Sequence, residues 1–161
     1  LNTVYLSIGS NLGNRSKAIE TARDFIVIYI GDIKASSLVY ESESWGHQAP
    51  NYLNQCIEVQ TAIAPNELLD IIKGIEADMG REQRQGPGYA SRTIDIDILL
   101  YGEEVIKTRG LTIPHTKMHE RLFVLRPLQE IASTLIHPVL EKSIKELLNS
   151  CSDDSQISRY I

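Results

Sequence analysis

The stretch Ile94-Asp95-Ile96-Asp97-Ile98 carries the residues best suited to chemistry. In an extended segment successive side chains point to opposite faces, so Asp95 and Asp97 share one face and the three isoleucines the other. The strand rise sets the two acids about 6.5–7 Å apart at Cα. At that spacing the carboxylates repel each other, and cations between them make the arrangement favourable. Mg²⁺ fits such a pair, because it takes one or two carboxylates and leaves its other positions to water and substrate phosphates. A one-sided sheet also presents solvated acids on its open face, so the reading depends on the company they keep. Arg81, Arg84 and Arg92 lie just upstream, in a Gly- and Gln-rich segment too polar for a core. Thr112-Ile113-Pro114-His115 and Arg121 follow downstream. Metal-binding acids among guanidiniums, which grip phosphate with planar forks, are what polyphosphate handling requires.

Other chemistries lack their residues. No Gly-x4-Gly-Lys-Ser/Thr is present, no Gly-x-Gly-x-x-Gly follows a strand, and His119-Glu120 does not continue as His-Glu-x-x-His. His115 and His119 could share a helix face, but no third zinc ligand suggests itself. Ser10 is not in a Gly-x-Ser-x-Gly context. Cys56 and Cys151 have no paired spacing, so neither a disulfide framework nor a thiolate metal site is expected. Cys56 reads as a small buried hydrophobe.

The elements that must position these residues follow from periodicity. Val4, Leu6 and Ile8 alternate as in a strand, and Gly9–Asn14 is a polar loop. Ala18, Ile19, Ala22, Phe25, Ile26 and Tyr29 recur at helical spacing, with Asn14 or Ser16 as N-cap and Gly31 past the end. Strand-like runs follow at Ile33–Glu43 and Asn54–Ala62, around the turn-rich Ser44–Leu53. Pro65 suits the first turn of a helix carrying Leu68, Leu69, Ile71, Ile72, Ile75 and Met79, stopped by Gly80. The acid-bearing strand then leads, through Gly102, into an expected hairpin of Leu99–Tyr101 with Val105–Ile106. Lys117–Ile131 reads as helix broken at Pro127, and Lys142–Asn149 as a further helix. Strand, helix, strand, strand, helix, strand predicts an α+β fold, the ferredoxin-like βαββαβ sandwich with helices on an antiparallel sheet, plus a C-terminal hairpin and helices.

Ser91-Arg92-Thr93-Ile94-Asp95-Ile96-Asp97-Ile98-Leu99 followed by Gly102 resembles the signature of the 6-hydroxymethyl-7,8-dihydropterin pyrophosphokinases of folate biosynthesis. Ile8–Gly13, Tyr52-Leu53-Asn54, Ile75-Glu76 with Gly80-Arg81, Ile113-Pro114-His115 and Arg121-Leu122-Phe123 match in family order from Leu6 to about Leu128. The resemblance implies transfer of diphosphate from ATP to the pterin hydroxymethyl group with release of AMP, and two Mg²⁺ held by Asp95 and Asp97. It also implies that Arg92, with either Arg81 or Arg84, acts on the phosphates. Glu76, Ile98, Thr112, His115 and Arg121 would meet ATP, and Trp45, Tyr52, Asn54, Tyr89 and Phe123 the pterin. Tyr89-Ala90-Ser91 stands where the family usually has Trp-Gly-Pro. The rival from another class is a non-catalytic ferredoxin-like module that binds a nucleotide or metabolite.

The 161 residues predict one domain over 1–161. Sixteen Lys and Arg against 21 Asp and Glu leave a net charge of −5, which disfavours nucleic acid as a partner. The longest apolar run, Phe25–Ile30, is far below the ~20 residues that span a bilayer, so no membrane partner and no leader are expected. A cytoplasmic monomer is the expected state.

Overall fold

The computed structural model describes residues 1–43, 50–80 and 93–161. Strand β1 (Asn2–Ser10) is followed by helix α1 (Arg15–Tyr29), β2 (Asp32–Ser36), β3 (Tyr40–Ser42), β4 (Tyr52–Thr61), α2 (Pro65–Gly80) and β5 (Asp95–Tyr101). After these come β6 (Ile106–Lys107), β7 (Thr112–Ile113), a 3-10 turn at Met118–Glu120, α3 (Leu122–Ala132), α4 (Ile144–Asn149) and β8 (Ile157–Arg159). The main sheet is antiparallel in the order β5-β1-β4-β3-β8, and β2 also pairs with β4.

The sheet has an apolar layer on each face. On one side Val4, Leu6, Ile8, Ile57, Val59, Ile96 and Ile98 pack against Ala22 and Ile26 of α1 and Leu68 and Ile72 of α2. On the other, Tyr5, Cys56, Leu99 and Leu100 pack against Val124, Leu125 and Leu128 of α3 and Ile144 and Leu147 of α4. Cys56 is fully buried in this second layer, and burial pushes its thiol pKa far up.

Strand β5 changes phase between these layers. Tyr5 faces Leu100 while Leu6 faces Ile98, so Leu99 is an extra residue in a bulge. The slip leaves Leu99 and Leu100 on the same side and returns Tyr101 to the first core. Upstream of the bulge, strict alternation holds across the acids.

Local chemistry sets the helix ends. The Asn14 side chain accepts from the Lys17 N–H and caps α1. Ser143 and Glu146 form a reciprocal capping box on α4. Gly31 follows α1 where β4 passes so close that a Cβ would lie 1.9 Å from the Gln60 carbonyl oxygen. The glycine is required there by proximity to a neighbouring backbone.

Two sequence expectations are corrected. Ile106 and Lys107 pair with Ile113 and Thr112, not with β5, because Gly102 (φ 51°) starts a turn that carries the chain away from that strand. Pro127 does not break the helix. α3 runs through it to Ala132, giving up the single i→i−4 bond that its missing N–H would have made. Pro127 is buried against the second layer, and that packing outweighs the loss.

Gly31→Ala should force β4 away from α1 and cost about 3 kcal/mol, at the upper end for overpacking. For a chain of this size that is roughly 6–12 °C in Tm, readable by thermal melting. A melt superposable on the parent's would contradict the close approach.

Candidate active site

The second apolar layer does not reach the whole sheet. α3 and α4 cover the end that holds Tyr5, Cys56 and Leu99, and beyond the first turn of α3 the face opens into a cleft of about 200 Å³. Ser7, Gly9, Ser42, Glu43, Tyr52, Asn54, Asp95, Asp97, Arg121 and Phe123 line it.

Strand register explains this set. Ser7 lies between Asp97 on β5 and Cys56 on β4, and Gly9 lies between Asp95 and Asn54. Alternation therefore puts Asp95, Asp97, Ser7, Gly9 and Asn54 on one face. The two β1 residues at its centre are small, so the floor stays low between the acids and the β4 side chains. Ile94, Ile96 and Ile98 lie on the opposite face in the core, as the sequence pattern predicts.

Gly9 is necessary to this floor. A Cβ there would sit 2.8 Å from Asn54 Oδ1. The buried Asn54 amide is fixed from its other end, where Nδ2 donates to Ser42 Oγ at 3.1 Å. Arg121 and Phe123 close the cleft from α3, with the guanidinium 5.6 Å from the ring centroid in a cation–π contact.

His115 reaches the same acids from a different segment. Its main-chain N–H donates to the Leu99 carbonyl, which fastens the chain after β7 along β5. Its Nδ1 accepts from the Lys117 N–H at 3.1 Å, so the neutral ring carries its proton on Nε2. That Nε2 lies 4.0 Å from Asp97 Oδ1. Burial and the nearby Arg121 charge lower the His115 pKa against the opposing pull of Asp95, which favours the neutral form at pH 7.

The other nucleotide residues suggested by the resemblance are placed differently. The Ile96 N–H, between the two acids, donates to Glu76 Oε2 at 2.9 Å, so Glu76 ties α2 to β5 at that point. The Ile98 side chain is buried in the core, away from the cleft. Thr112 lines a separate pocket of about 160 Å³, shared with His115, His119, His137 and Val139. Trp45, Arg81, Arg84, Tyr89 and Arg92 lie outside the described residues. Ser7, Gly9, Ser42 and Glu43 were not singled out from the sequence as site residues. The polar Ser7 and the missing side chain of Gly9, beside the apolar Leu6 and Ile8, were the signal for two of them.

The two acids suit a hard cation. Two carboxylates on one sheet face, open to a cleft with room beside them, are the donor set Mg²⁺ takes when phosphates and water supply the rest. Among the described residues no group of three or more His, Cys, Asp or Glu side chains is placed to hold a metal.

The architecture is mixed α/β, with a cleft that holds two carboxylates on one face of an antiparallel sheet. Residues 5–133 match the model of the 7,8-dihydro-6-hydroxymethylpterin-pyrophosphokinase family, and the chain belongs to that family. It is similar to the 2-amino-4-hydroxy-6-hydroxymethyldihydropteridine pyrophosphokinase of Aquifex aeolicus, 44% identical over 151 residues, which are 89% of each chain. The enzyme of the same name from Haemophilus influenzae is 38% identical over 157 residues, 96% of each chain. In solved structures the fold is similar to that of an HPPK-DHPS in complex with substrates, with a TM-score of 0.74 and 19% identity. The match covers 92% of this chain and 43% of that longer one. No described helix is long and apolar enough to cross a membrane.

Gly9→Ala should displace the Asn54 amide and break its bond to Ser42. The Asn54 side-chain NH₂ signals in a ¹H–¹⁵N spectrum are expected to shift, and turnover to fall about ten- to a hundredfold, the scale of an ångström-sized misplacement. An unshifted amide pair would contradict the contact.

Proposed function

We propose that Asp95 and Asp97 hold Mg²⁺-bound ATP over β5 while the pterin lies in the cleft between Tyr52, Asn54 and Phe123. The activity is the family's pyrophosphokinase reaction on hydroxymethyldihydropterin in folate biosynthesis. In that reaction the hydroxymethyl oxygen attacks the β-phosphorus of ATP, the bond between that phosphorus and the α,β-bridging oxygen breaks, and AMP leaves. The observation that supports this placement is one cleft with two sides: the acids on β5, and an aromatic and amide group on β4 and α3, separated by Ser7 and Gly9.

Each side chain has a definable task. Phe123 and Tyr52 offer flat surfaces to a bicyclic ring. Asn54 brings both a donor and an acceptor, and its orientation is held by Ser42. Metal ions at Asp95 and Asp97 would neutralise phosphate charge and polarise the reacting oxygens. Arg121 stands at the same mouth to meet phosphate oxygens. Neutral His115 presents its Nε2 hydrogen toward the acids and whatever phosphate they gather. Arg92, and Arg81 or Arg84, complete the charge balance on the transferred group in this reading.

The fold reading is equally specific. With β5, β1, β4 and β2 adjacent in that order, and α1 and α2 on one face, the first 101 residues support the ferredoxin-like βαββαβ sandwich.

The test is to incubate the protein with ATP, Mg²⁺ and hydroxymethyl-dihydropterin and to separate the nucleotides. AMP in step with pterin diphosphate is expected, and ADP instead would contradict the reading. Asp97→Ala should abolish AMP formation while leaving the circular dichroism spectrum unchanged, because the side chain is 41% exposed and faces the cleft. An Asp97→Ala protein that is folded and active would remove the metal role from this residue.

A further inference from the structure

The wall of the cleft formed by Arg121 and Phe123 is held from a distant part of the chain. α3 begins at Leu122, and its N-cap residue Arg121 supplies no side-chain cap. The Leu122 N–H instead donates to Asp153 Oδ2 at 2.9 Å. Asp153 is fixed in turn, since its Oδ1 accepts from the Ser155 N–H at 2.9 Å and from the Ser155 hydroxyl. Both carboxylate oxygens are therefore engaged, and the one on α3 satisfies an orphan donor at the positive end of the helix. Partial burial opposes ionisation, but the hydrogen bonds outweigh it and the Asp153 pKa is lowered, which keeps the acceptor charged at neutral pH.

The same tail reaches the opposite wall. Four residues past Asp153, β8 pairs with β3, and Ile157 stands opposite Ser42, the residue that accepts from Asn54. The Tyr160 N–H donates to the Val39 carbonyl at 2.8 Å. The Tyr160 ring lies 5.7 Å from the Arg15 guanidinium, which pairs with Glu41 at 2.7 Å and donates to the Asn51 carbonyl. One segment, beyond the residues 5–133 matched by the family model, thus joins the α3 wall to the β3 wall.

We infer that Asp153 is a positioning residue for the pterin, acting through the Leu122 N–H to set Phe123 and Arg121 over the cleft. The inference rests on the reading of Phe123 as a pterin contact. Without the carboxylate the first turn of α3 loses its cap, and the two cleft residues that flank Leu122 lose their fixed origin. Asp154, the exposed neighbour, has no such role.

The experiment measures pterin affinity, by quenching of the ligand's fluorescence, for Asp153→Ala, Asp153→Asn, Asp154→Ala and Phe123→Ala, alongside thermal melts. Asp153→Ala should weaken pterin binding about tenfold, within the energy range of a lost helix cap. Asp153→Asn keeps an oxygen for the Leu122 N–H and should bind within threefold of the parent, and Asp154→Ala should be unchanged. Should Asp153→Ala not fold, Ser155→Ala carries the test, with twofold or greater weakening expected. A folded Asp153→Ala with a lowered Tm and parental affinity would make the residue merely structural and overturn the inference. Asp153→Asn no better than Asp153→Ala, or parental affinity in Ser155→Ala where that variant carries the test, would do the same. Parental affinity in Phe123→Ala would instead overturn the placement of the pterin.

Discussion

A sheet with an apolar layer on each face, one of which gives way to a cleft, is the constraint from which the site follows. Strand β5 and the residue before it must present Ile94, Ile96 and Ile98 to the α1–α2 layer, because burying their side chains there contributes roughly 1.5–3 kcal/mol each. Period-2 alternation then leaves Asp95 and Asp97 no position except the other face. α3 covers only the Leu99 end of that face. Because it starts at Leu122, they stand at the edge of a cleft. The bulge at Leu99 marks the boundary, since from that residue on the same face belongs to the second apolar layer.

The rest of the site adapts to that geometry. Small residues at Ser7 and Gly9 keep the floor low, and the space they leave is bounded by an amide that donates to Ser42 and lies close to Gly9. Glu76 and His115 both fasten β5, one through the Ile96 N–H and the other through the Leu99 carbonyl. One anchor lies between the two acids and the other lies two residues beyond Asp97, so the strand is restrained where it bears the carboxylates. The metal chemistry proposed here needs ligands that do not have to be gathered at the moment of binding.

Features governed by local periodicity were legible in the sequence. The Asp-x-Asp face, the Asn14 cap, the helix starting at Pro65 and the burial of Cys56 each follow from spacing within a few residues. The misreadings concern competition between distant segments. Pro127 looks like a breaker until the packing of α3 on the sheet is known, and the partner of Ile106 depends on where the turn after Gly102 aims the chain. Asp153 is 31 residues from the N–H it accepts, within a polar tail that shows no periodicity, so no local pattern could reveal it. Ser42 and Glu43 became visible only when β3 was placed beside β4.

The central claim is that one face of β5 binds the cation that carries the triphosphate. It is tested most directly by a crystal structure with Mn²⁺ in place of Mg²⁺ and a non-hydrolysable ATP analogue, read from the anomalous signal of the metal. The account predicts anomalous peaks within bonding distance of the Asp95 and Asp97 carboxylate oxygens, with phosphate oxygens completing the shell. Manganese and triphosphate ordered elsewhere, with both carboxylates turned from any ion, would contradict it.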